Sequence, residues 1–101
     1  MKEYDLYVPL VLKKGRHLPI AKLEKLKKAL VKQFGGLTYF PQKTKGFWKI
    51  GKATFQDEIV ILRVLAAKNC KSYWKELKRN LQKEWQQKEI LIVMKNVKVL
   101  S

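Results

Sequence analysis

The chain has 101 residues, with 23 Lys or Arg against 8 Asp or Glu, a formal net charge of +15 and a single cysteine. Its hydrophobic share of 47% excludes disorder driven by charge, and the length suits one domain with one core, so residues 1–101 are read as a single domain. No run approaches the roughly 18 apolar residues of a membrane span, Glu3, Asp5 and Pro9 argue against a secretory leader, and lone Cys70 excludes an internal disulfide and points to a reducing, cytoplasmic setting.

Tyr4 to Leu12 places Tyr4, Leu6, Val8, Leu10 and Leu12 on one face, the alternation of a half-buried strand. Lys13 to His17 is a polar loop. Pro19 suits a helix's first turn, and Ile20, Leu23, Leu26, Leu30 and Phe34 then recur at spacings of three and four as one apolar stripe. Glu24 and Lys28 form an i,i+4 pair, and Gly35-Gly36 stops the helix.

Leu37 to Phe40 is a short strand broken by Pro41 and the polar residues to Lys45. Gly46 to Ile50 either extends it past an irregularity or forms part of a long hairpin arm. Gly51 and Asp57 favour turns. Glu58 to Ala67 is apolar on both faces, as in a central strand. Asn69 or Ser72 caps a second helix, whose stripe is Trp74, Leu77, Leu81 and Trp85. Ile90 to Met94 is the last strand, and Lys95-Asn96 turns the chain.

The order strand, helix, strand, strand, helix, strand defines an α+β, ferredoxin-like βαββαβ fold: a four-stranded antiparallel sheet with two helices on one face. The other face is open and suits a homodimer contact. In this topology the loop bearing Arg16 and His17 shares an end of the domain with the Pro41–Glu58 segment, whereas Cys70 lies at the opposite end near Gly35-Gly36. A His–Cys catalytic pair is therefore disfavoured.

The stretches Phe34-Gly35-Gly36-Leu37-Thr38, Gly46-Phe47-Trp48 and Asp57-Glu58 resemble small uncharacterised bacterial proteins of ferredoxin-like type. The resemblance spans the middle third of the chain, supports the fold, and carries over no catalytic residue.

The charge points to a polyanion, with nucleic acid the commonest. Lysine, a flexible point charge, suits backbone attraction better than base readout. The alternative is a merely solvated lysine surface. The expected phosphate contacts are Lys22, Lys25, Lys28 and Lys32 on the first helix, Lys43, Lys45, Lys49 and Lys52 around Trp48, and Lys75, Lys78 and Lys83 on the second helix. Trp48 beside Phe47 is a candidate stacking platform; the alternative places both rings in a core or dimer interface. The aliphatic strand Ile59 to Leu65 lacks the stacking aromatics of an ordinary RNA-recognition motif.

A second function class is a small-molecule site or enzyme for an anionic substrate, lined by Arg16, His17, Trp48, Lys49 and Glu58. His17 is a candidate general acid/base or phosphate contact; the alternative is a plain loop histidine beside a helix start. Asp57 and Glu58, adjacent on a strand, point to opposite faces, which disfavours paired carboxylate chemistry. A metal-dependent nuclease using Asp5 and Asp57, and a purely structural partner-binding protein, complete the alternatives. One histidine and one distant cysteine make no zinc pattern. No metal or other cofactor is expected, and binding is favoured over catalysis.

Overall fold

The computed structural model describes residues 1–100, apart from the side chains of Trp48, Ile50 and Phe55. Its elements are strand β1 (Lys2–Pro9), helix α1 (Ile20–Phe34), strands β2 (Thr38–Ile50) and β3 (Ala53–Ala66), helix α2 (Lys71–Glu84) and strand β4 (Ile92–Asn96). The sheet runs β2-β3-β1-β4 with every neighbouring pair antiparallel. This is the ferredoxin-like arrangement that the element order implies.

Period-two alternation decides what each central strand buries. Tyr4, Leu6 and Val8 of β1 and Val60, Leu62 and Val64 of β3 are buried beneath the helices, which contribute Leu23, Leu26 and Leu30 from α1 and Trp74 and Leu81 from α2. Trp74 stacks on Tyr4 at 4.8 Å and on Phe34 at 5.4 Å between centroids, so three rings tie β1 to both helices. Gly35 ends α1 at φ +84°, and its N–H donates to the Val31 carbonyl at 2.7 Å. That left-handed conformation costs glycine little.

Four sequence expectations change in detail. Ile20 is 79% exposed: at 3.6 residues per turn it lies about 90° from the centre of the leucine stripe, and Leu18, ahead of the helix, is buried instead. Pro19 occupies the capping position before α1, not its first turn. Glu24 pairs with Lys27 at 2.9 Å, one residue short of Lys28. On α2, Asn69 Oδ1 accepts the Lys71 N–H at 3.1 Å, whereas Ser72 lies inside the helix.

The β2–β3 hairpin is longer than apolar alternation alone indicates. β2 continues to Ile50 past an irregularity between Phe40 and Thr44, and β3 begins at Ala53, five positions before Glu58. Backbone pairing extends a ribbon whether or not its side chains are apolar. Its turn is the pair Gly51-Lys52, with Gly51 at φ +61°, a first central position that favours glycine. β4 begins two residues later than expected, because Ile90 dives into the core at 1% exposure. Lys95 and Asn96 do not turn the chain but pair with Glu3 and Lys2.

Leu30 is fully buried on the stripe and Ile20 is not. Leu30→Ala should therefore lower unfolding free energy by about 2–5 kcal/mol, whereas Ile20→Ala should stay within about 0.5 kcal/mol of the parent. Chemical denaturation monitored by circular dichroism measures both.

Candidate functional site

By pleat alternation, the open face of the sheet carries Glu3 and Asp5 of β1, Ile61, Arg63 and Leu65 of β3, and Lys95 of β4. Arg63 donates from Nε to Asp5 Oδ1 at 2.8 Å and from its terminal nitrogen to Oδ2 at 3.0 Å. It also lies 3.3 Å from Glu3 Oε1. Lys95 Nζ is 3.1 Å from Glu3 Oε2, a charge contact outside hydrogen-bond geometry. Both acids are only 8% exposed, so their charge must be met locally. The hydrogen bond to Asp5, chiefly, holds the Arg63 guanidinium above its ordinary pKa against the opposing effect of desolvation. A raised folded pKa stabilises the fold fully below the ordinary arginine range, and that contribution is lost only at more alkaline pH. Arg63 also covers the Phe40 ring at 4.9 Å. The cluster sums to zero charge, two acids against two bases.

The helix side differs. Lys25, Lys28 and Lys32, spaced by three and four, are exposed on α1 opposite its buried leucines. On α2, Lys75 and Lys83 are exposed. Two expected phosphate contacts have acidic partners: Lys22 bonds Glu84 at 2.8 Å, linking the helices, and Lys78 lies 2.5 Å from Glu89.

Lys43, Lys45, Lys49 and Lys52 are all exposed on the β2–β3 hairpin. Lys45, Phe47 and Lys49 follow one another at period two and share one face of β2, opposite Glu58, Gln56 and Thr54. Phe47 is 67% exposed, so it closes no core. It stands between Lys45 and Lys49 on a face whose cross-strand residues, Glu58, Gln56 and Thr54, are polar. Counted along β3, this face is the one that carries Val60 and Leu62 under the helices, so Phe47 lies on the basic helix side. The stacking role expected of Trp48 concerns a side chain outside the described residues.

The end of the domain anticipated from topology does come together. Leu10 N–H donates to the Glu58 carbonyl at 2.8 Å, and Val11 bridges His17. A cavity of about 410 Å³ opens there. Its walls are Val11, Leu12 and Lys13 after β1, Lys49 and Asp57 of the hairpin, and the segment between α2 and β4 from Gln86 to Glu89. Of the expected pocket residues, Lys49 lines it; Arg16 and His17 are exposed on the neighbouring loop, and Glu58 is half-buried outside the lining. Gln86 to Glu89 were missed as wall residues, although antiparallel β4 must start where β1 ends and brings that segment to the same place. Cys70 lies at the far end, its N–H bonded to the Tyr4 hydroxyl at 3.0 Å. Among the described residues no three His, Cys, Asp or Glu side chains gather as metal ligands, and no helix is long and apolar enough to cross a membrane.

No protein-family model matches the chain, and comparison with curated proteins finds no match. Solved structures do share the fold. A phage SAM lyase bound to S-methyl-5'-thioadenosine matches with TM-score 0.66 and 12% identity over 93% of this chain and 79% of that one. The divalent cation tolerance protein CutA1 from Thermus thermophilus matches with TM-score 0.66 and 15% identity over 100% of this chain and 88% of that one. A CutA1 mutant from Pyrococcus horikoshii matches with TM-score 0.60 and 16% identity over 100% and 87%. At such identities the likeness shows the frame alone. The protein is a small α+β protein of ferredoxin-like fold, and no family stands behind the resemblance to uncharacterised bacterial proteins.

Removing Arg63 leaves buried Asp5 without a cation and Glu3 with Lys95 alone. Arg63→Ala should cost about 2–3 kcal/mol, below the figure for a fully buried pair because the arginine is partly solvated. Arg63→Met combined with Asp5→Leu and Glu3→Leu should recover most of that loss; equilibrium denaturation of the variants measures the difference.

Proposed function

We propose that this protein binds nucleic acid through its helix side, largely by non-specific phosphate contacts, with the hairpin as a stacking platform. The observation that carries this reading is the row Lys45, Phe47, Lys49. A ring exposed between two ammonium groups offers a base a π-face and its flanking phosphates two cations. Lys25, Lys28, Lys32, Lys75 and Lys83 extend the attraction across the helices. An unpaired base is the natural guest, since a duplex offers no free face to a protruding ring.

The cavity supports a second reading, a site for a small anionic ligand. Its volume of about 410 Å³ falls within the range of ordinary ligand sites, and Lys13, Lys49 and Lys88 outnumber Asp57 and Glu89 on its walls. Fluorescence anisotropy with a labelled 15-nucleotide single strand separates the two. Affinity should fall steeply between about 50 and 200 mM salt as counterions are released, and Phe47→Ala should weaken binding by about 1–3 kcal/mol. Absence of binding at about 50 mM salt sinks the first reading. Under the second, a nucleoside diphosphate binds by calorimetry, Lys13→Ala weakens it, and Phe47→Ala leaves it unchanged.

The open sheet face is the natural surface for pairing two copies. Its ion cluster is neutral, whereas elsewhere a net charge of +15 makes two copies repel. Phe40, Leu65 and Val93 are 37%, 45% and 40% exposed, and by alternation they fall on that face. Sedimentation velocity should detect a dimer, which Leu65→Glu disperses; a native protein that sediments as a monomer at all concentrations ends this reading.

A further inference from the structure

We infer that the groove between α2 and the outer edge of β4 receives an extended acidic segment of another protein, which joins the sheet as a fifth strand. The groove holds about 270 Å³. Its floor is Tyr4, Trp74, Ile92 and Met94, and its wall is Lys71, Lys75 and Lys78 of α2.

Tyr7 N–H donates to the Leu91 carbonyl and Val97 N–H to the Met1 carbonyl, each at 3.0 Å. Antiparallel pairs alternate between bonded and non-bonded positions, so Val93 and Lys95 also turn their polar groups to β1. Ile92, Met94 and Asn96 therefore turn their N–H and C=O groups away from the sheet. The two residues that line the groove with side chains, Ile92 and Met94, thus offer a free edge beside it. Such an edge is the template for strand addition.

Charge selects the guest. Lys78 is engaged by Glu89, and Lys71 and Lys75 form no ion pair among the described residues. They stand about 6 Å apart along the helix at 1.5 Å per residue, close to the roughly 6.6 Å between alternate residues of a strand. Every second residue of an added strand faces them, so a guest alternating acidic and other residues is matched. A second copy of this chain is a poor guest, because pairing β4 with β4 sets Lys71 and Lys75 against themselves. Nucleic acid is a poor guest as well. Tyr4 and Trp74 are 2% and 3% exposed and stacked on each other, which leaves no ring for a base, and the open edge carries acceptors as well as donors.

The test uses a ten-residue peptide alternating glutamate and valine, and a peptide of the same composition with the glutamates in one block. The alternating peptide should bind about tenfold more tightly, because only it combines strand pairing with acidic contacts on one side. It should slow amide exchange at Ile92, Met94 and Asn96. Met94→Pro removes an outward N–H that the sheet does not use, so it should weaken the alternating peptide about tenfold while the far-UV circular dichroism stays native. Lys71→Glu with Lys75→Glu should do the same, and Phe47→Ala should not, which keeps this site distinct from the hairpin platform. Equal affinity for both peptides, or unchanged exchange at the three amides on peptide binding, overturns the proposal. So does displacement of the alternating peptide by an oligothymidylate whose own binding is lost in Met94→Pro and unchanged in Phe47→Ala.

Discussion

Arg63 facing Asp5 across the two central strands is the interaction on which the rest of the architecture hangs. Its two hydrogen bonds form only when β1 and β3 stand in their observed register. A slip of one residue would also carry Tyr4, Leu6 and Val8 from the core face to the open face. The apolar pattern and the ion pair therefore demand the same alignment, one from each side of the sheet. Carboxylates as buried as Glu3 and Asp5 require nearby positive charge, and Arg63 and Lys95 supply it.

That pairing also divides the molecule electrically. The open face takes two of the eight acids and neutralises them. Three more are tied to lysines at Lys22, Lys27 and Lys78. What remains is a field of lysines over the helices and hairpin that outnumbers Asp57, Glu58 and Glu76, the three other acids. Under the proposed function, a polyanion and a second copy of the chain would use different sides of the molecule.

The hairpin matters because a two-stranded ribbon that outruns the helices has no core to serve. Its side chains need not alternate apolar and polar, and Phe47 is left in water between lysines. The short edge strand β4 is the complementary case. It ends the sheet beside α2 and leaves polar backbone open next to an aromatic floor. Both features follow from a sheet whose strands differ in length, from five residues in β4 to fourteen in β3.

Both helices and the core strands were legible in the amino-acid sequence, since the stripes Leu23-Leu26-Leu30 and Trp74-Leu81 and the alternation Tyr4-Leu6-Val8 record burial directly. The antiparallel topology followed from the element order, and with it the end of the domain where the cavity lies. The hairpin's length was only half legible, because its mixture of lysines, aromatic residues and glycines carries no clean period that hydrophobicity can reveal. Exposure of Ile20 and of Phe47 was hidden, since side-chain type does not say how far a neighbouring element reaches. Nor did the sequence show that Arg63, in an aliphatic run, meets Asp5 across 58 positions, or that Gln86 to Glu89 close a cavity with Lys49. Local periodicity reports what a residue must avoid in water; which charges meet, and which edges stay open, depends on contacts between segments that only the folded sheet brings together.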